Sequence, residues 1–172
     1  MPQRHRAPHS HFPFFVACLF GWAALSFASP ETSPTHPEDD AKPGDYASTS
    51  RGLLDGYDPV SYFDGHPRRG KSTLTLEYQD VTIRFTNAEN RERFSESPER
   101  YLPQFGGYCA YGIRMGKRFN IDPQAFDIIN GRLYLMLDDS TRLLWRQNLA
   151  ENIAIAEQNW SKMAVAASAD SD

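Results

Sequence analysis

The chain has 172 residues, 23% of them charged and 40% hydrophobic, a length and balance that suit one domain with tails. Its formal net charge is −4. Arg4 and Arg6 are the only formal charges in the first 28 residues, and removing their +2 leaves −6 for the remainder, which argues against a nucleic-acid partner because such binding needs a basic face.

The N-terminus reads as a secretory signal. Arg4 and Arg6 form a positive start, Phe12 to Leu25 an apolar stretch, and Ser26-Phe27-Ala28 a small-residue cleavage site. The expected organisation is a signal peptide over 1–28, a disordered linker over 29–50, a domain over 51–163 and a flexible acidic tail over 164–172. The apolar stretch is shorter than the roughly 20 residues that span a bilayer, so no transmembrane span is expected after cleavage and the product is expected to be periplasmic or secreted; the alternative is that the segment is kept as an uncleaved membrane anchor. The linker is rich in Pro, Ser, Thr and acid and has little to bury. Cleavage after Ala28 removes Cys18 and leaves Cys109 as the lone thiol, which excludes an intrachain disulfide.

Order is expected to begin near Leu53. Asp58-Pro59 is a helix-start pair, with Asp as N-cap and Pro at the first helical position. Leu74–Tyr78 and Val81–Phe85 alternate apolar and polar residues around Gln79-Asp80, the pattern of a hairpin. Asn87 caps a helix through Phe94, and Ser97-Pro98 starts another that returns Tyr101 to the core. Tyr108 to Met115 predicts a short helix stopped by Gly116, and Asp122-Pro123 a further turn or helical start. Asn130-Gly131 between two apolar runs predicts a hairpin with a type I′ turn, which needs positive φ at both central residues. Asp138-Asp139-Ser140 caps a terminal helical region whose apolar face carries Leu143, Leu144, Trp145, Leu149, Ile153, Ala156 and Trp160. The fold class is α+β: a small antiparallel sheet of hairpins packed by short helices, ending in an amphipathic helical region.

Several strings in this order carry a resemblance: Gly56-Tyr57-Asp58-Pro59-Val60-Ser61-Tyr62-Phe63, then Phe85 through Phe94, Pro98-Glu99-Arg100-Tyr101, and Pro103-Gln104-Phe105-Gly106-Gly107-Tyr108-Cys109-Ala110-Tyr111-Gly112. Together they resemble the YHS-domain family, in its longer exported bacterial form. Pro59, Gly106, Gly107, Tyr108, Asn130 and Gly131 are the motif positions to which the resemblance gives a structural role. It implies metal binding through cysteines, since YHS domains occur beside heavy-metal ATPases. Here the three corresponding positions are Ser61, Thr86 and Asn90, so that thiolate site does not carry over.

The residues themselves offer two candidate constellations. Cys109, His66 and Met115 are the soft donors from which a copper or zinc site would be drawn, against the four ligands a closed zinc site uses. Asp58, Ser61 and Asn90 form a polar set that either holds a small polar ligand or hard cation, or satisfies caps. The numerous aromatics would line a cofactor pocket, haem included, or fill a core. No catalytic constellation is complete. The resulting expectation is an exported YHS-like module, more a non-enzymatic metal- or small-ligand-binding accessory than an enzyme. Two alternatives stay open: a thiol-dependent or redox enzyme using Cys109, and a purely structural interaction domain.

Overall fold

The computed structural model describes residues 45–169, with side chains through 164. The expected signal peptide, residues 29–44 of the expected linker and the last three residues of the tail lie outside the described residues. The architecture is α+β, as the alternation of patterns implied: three two-stranded antiparallel sheets packed by five α-helices and short 3-10 turns. All described residues belong to one unit, His36–Asp172. Among them, no helix is long and apolar enough to cross a membrane.

Strands β1 (Ser48–Thr49) and β2 (Gly52–Leu53) pair first, β1 lying ahead of the expected start of the domain. Order therefore reaches back into the expected linker, because Tyr46 has apolar surface to bury and packs against the core. A 3-10 turn over Leu54–Gly56 and a second over Pro59–Tyr62 follow. Strands β3 (Lys71–Tyr78) and β4 (Val81–Phe85) form the first long hairpin. Its turn residues Gln79 and Asp80 take φ of 46° and 64° without a glycine, the left-handed pair that a two-residue hairpin demands. Helices α1 (Ala88–Glu96) and α2 (Pro98–Tyr101) cover it. Asn87 caps α1 through its side chain, whereas Ser97 occupies the boundary of α2 with no side-chain cap bond.

The segment after α2 makes a 3-10 turn over Gln104–Gly107, then helix α3 (Ala110–Arg114). This helix is shorter than predicted. It ends in a Schellman arrangement in which Gly116, at φ 70°, donates to the Ile113 carbonyl and Lys117 to that of Gly112. Strands β5 (Asp122–Ile129) and β6 (Arg132–Met136) then pair around Asn130 and Gly131, both at positive φ. Asp122-Pro123 is thus neither a turn nor a helix start. It opens β5 with an irregularity, since proline cannot donate to the ladder.

Helix α4 (Asp139–Gln147) starts at Asp138, whose carboxylate accepts the Thr141 N–H at 2.7 Å. Asn148 leaves helical φ/ψ, and α5 (Leu149–Ala169) continues in a new direction of side chains. The expected apolar face is formed only in part. Trp145, Ala156 and Trp160 are buried, while Leu143 and Leu144 are 65% and 45% exposed. The tail expected from residue 164 is helical through Ala169, and Ala164 is buried.

Strand β6 divides the interior. Its alternate residues Leu133 and Leu135 face a core built on Val60, Tyr62, Ile83, Phe85, Phe94 and Tyr101. Tyr134 and Met136 face a second, with Phe105, Ile113, Trp145 and Trp160. This is the period-two alternation of a strand buried on both faces.

Candidate functional site

The strongest convergence of motif residues centres on Asp58. It precedes Pro59, so its backbone is held extended and its carboxylate turns back as an N-cap, accepting the Val60 N–H on Oδ1 at 2.9 Å. The other oxygen, Oδ2, accepts three donors from the end of β4 and the start of α1. These are the Thr86 N–H at 2.9 Å, the Thr86 hydroxyl at 2.7 Å and the Asn90 side-chain amide at 2.6 Å. Asn90 also receives the cap of α1, its N–H donating to Asn87 Oδ1 at 2.8 Å. Ser61 closes the other end: its hydroxyl donates to the Asp58 carbonyl at 2.6 Å and accepts the Arg68 N–H at 2.9 Å. Asp58 and Ser61 are wholly buried and Asn90 nearly so.

Asp58, Thr86 and Asn90 therefore do come together, with Ser61 bonded to the Asp58 backbone. Both carboxylate oxygens are taken by protein donors, as buried polar groups require. The cluster is closed on itself, and its four donors to Asp58 join the second 3-10 turn, β4 and α1 into one junction.

The soft donors are not brought together. His66 is exposed, in the loop before β3, where its neighbour Arg68 bonds into the Asp58 junction. Met115 is 57% exposed at the C-terminal end of α3. Cys109 is 1% exposed, in the second core. Among the described residues no group of three or more His, Cys, Asp or Glu could hold a metal ion. Cys109 thus lies in a core while His66 and Met115 lie at the surface.

Cys109 has a different place. It is the N-cap of α3, its Sγ accepting the Gly112 N–H at 3.3 Å, the position usually held by Ser, Thr, Asp or Asn. Its backbone pairs with Leu135 of β6, and its N–H donates to the Phe119 carbonyl at 3.1 Å. Burial pushes the thiol above its ordinary pKa. The amides of Gly112, Leu137 and Tyr111 pull it back, and Asp138 adds to the rise. The net direction is that of a structural thiol rather than a poised nucleophile.

The aromatics fill the two cores. Tyr62 stands edge-on to Phe126 at 5.1 Å, Tyr78 to Phe94 at 5.7 Å, and Phe105 to Trp160 at 6.1 Å. The basic stretch after His66 is likewise engaged. Arg69 lies 4.7 Å over the Tyr57 ring and pairs with Asp55 at 3.4 Å, which Arg51 also holds.

Three polar centres escaped the sequence reading. Asp127 on β5 is buried and binds both Arg142, at 2.9 Å, and Arg146 of α4. Asn152 on α5 is buried, donates to the Trp145 carbonyl at 2.8 Å and accepts from Arg114 at 2.6 Å. Asp45 pairs with Arg118 at 2.8 Å. Asn152 carried one signal, a polar residue beside the apolar positions of an amphipathic helix. The others join residues distant in sequence and carried none. No family model, curated protein or solved structure matches the chain.

Proposed function

We propose that this chain is an exported YHS-like, non-enzymatic accessory module, in which the motif positions serve the architecture rather than a metal. The observation that carries this reading is the closed junction at Asp58. Thr86 and Asn90, which stand where the resemblance would put cysteines, donate to one buried carboxylate. A hydrogen-bonded network on one carboxylate can hold together elements that thiolates and a metal would otherwise join. The raised pKa and burial of Cys109, with the only histidine of residues 45–169 exposed on a separate loop, weigh against a Cys–His enzyme.

Copper and zinc titration of the purified chain, with metal analysis, tests the proposal. The expected result is no stoichiometric transition metal, and none lost in Cys109→Ser or Ser61→Ala. One equivalent of tightly held metal that disappears in either variant would sink it. The purely structural interaction reading is favoured by one observation, the adjacent exposed Leu143 and Leu144 of α4.

A further inference from the structure

Three features meet where the chain enters the domain. The Ala47 N–H donates to the Gly106 carbonyl at 2.8 Å. Gly106, at φ 60°, is glycine for a second reason: a Cβ there would fall on the Asp45 carbonyl oxygen and meet the Trp160 ring at 3.3 Å. The Asp45 carboxylate then accepts from Arg118 at 2.8 Å. The same guanidinium lies 5.6 Å over Tyr108 and 5.5 Å over Trp160.

Arg118 belongs to residues 115–120, all exposed and mostly without regular structure, which leave α3 through Gly116 at φ 70°. These residues pass beside Cys109. The Phe119 carbonyl takes the Cys109 N–H at 3.1 Å, and the Phe119 ring lies where a Cβ on Gly112 would come within 2.7 Å of it. One side of Cys109 is thus strand β6 and the other is this loop.

We propose that Asp45 and Arg118 are a latch through which the segment entering the domain holds the 115–120 loop closed beside Cys109, so that displacing that segment frees the loop. The physical basis is the seat and the strength of the contact. The incoming backbone is located by Gly106, which admits it only for lack of a side chain. The loop is fastened to it by one partly exposed ion pair, and the same guanidinium's cation–π contacts with Tyr108 and Trp160 hold it in place beside that segment; each interaction is small enough to be undone without unfolding either core. Gly116 supplies the hinge, since left-handed φ is open to it at little cost. A pull or a partner acting on the residues ahead of Asp45 would then be felt at the loop.

The test uses the full chain, read by hydrogen exchange of the 115–120 amides and by site-resolved alkylation of Cys109 under native conditions. Asp45→Asn and Arg118→Ala weaken the latch from its two ends. Gly106→Ala displaces the segment at its seat, and its Cβ also crowds the Trp160 ring under Arg118. Each should raise loop exchange and Cys109 alkylation roughly three- to tenfold. Asp127→Asn, which loosens α4 away from the latch, should leave both rates within about twofold. Unchanged rates in Asp45→Asn and Arg118→Ala overturn the proposal. So does an equal rise in Asp127→Asn, which would mean that the thiol reacts only through general destabilisation.

Discussion

Replacing Asp58 tests whether the motif junction holds the fold. Asp58→Ala removes both acceptor oxygens and leaves four donors: the N–H groups of Val60 and Thr86, the Thr86 hydroxyl and the Asn90 amide. The two side chains can still bond each other, since Asn90 already lies 3.2 Å from the Thr86 hydroxyl. The two backbone groups have no such substitute, and a stranded buried donor costs about 1–3 kcal/mol. With the lost charge-assisted bonds, Asp58→Ala should cost roughly 3–5 kcal/mol, a large part of the about 5–15 kcal/mol by which domains are stable. Asp58→Asn keeps the shape. Its carbonyl oxygen can serve the three donors now on Oδ2, while its amide faces the Val60 N–H, so about 2 kcal/mol is expected. Urea unfolding followed by tryptophan fluorescence and by far-ultraviolet circular dichroism measures both. A loss below about 1 kcal/mol in Asp58→Ala would refute the reasoning, because water or a shifted backbone would then satisfy those donors as well as the carboxylate does.

Three further predictions concern Cys109 and Asp127. The native pKa of Cys109 lies above its unfolded value. Between the two values the native state keeps a proton that the unfolded chain has lost, so stability falls as pH rises through the ordinary thiol range near 8.5. Cys109→Ser, which keeps a capping side chain, should flatten that part of the pH–stability curve. Native Cys109 should also alkylate at least about tenfold more slowly than in the urea-unfolded chain, and equal rates would show the thiol to be open. Asp127→Ala removes the acceptor that fastens Arg142 and Arg146 of α4 to β5. Because both arginines reach solvent and can rehydrate, the expected loss is about 2 kcal/mol rather than the larger cost of a fully buried pair. No change in the denaturation midpoint would show that α4 is held by Trp145 alone.

What was legible in the sequence is what is local. Asp58, Asn87 and Asp138 each cap the N–H two or three residues ahead, and Asn130-Gly131 carries its turn geometry in its own dihedrals. The hairpin at Gln79-Asp80 was readable from its flanking alternation even though its turn lacks glycine. The failures share a cause: they depend on where distant residues arrive. Leu143 and Leu144 precede Trp145 by two residues and one, about 200° and 100° round the helix from it, so they leave the face that Trp145, Ala156 and Trp160 bury. Cys109, His66 and Met115 have compatible chemistry, but burial separates one from the other two. Asp58, Ser61 and Asn90 were legible as a set because the family resemblance aligned them, and the structure adds that they satisfy one another. The diglycine before Cys109 changes meaning most. Gly106 makes room for the Asp45 backbone, and a Cβ on Gly107 would meet Pro103 at 3.2 Å and Leu53 at 3.5 Å. Both glycines thus belong to close packing around a capped, buried thiol. A motif that would have marked a reactive centre, had a base or a second ligand stood beside Cys109, marks here a junction where the incoming segment, β6 and α3 are brought into contact.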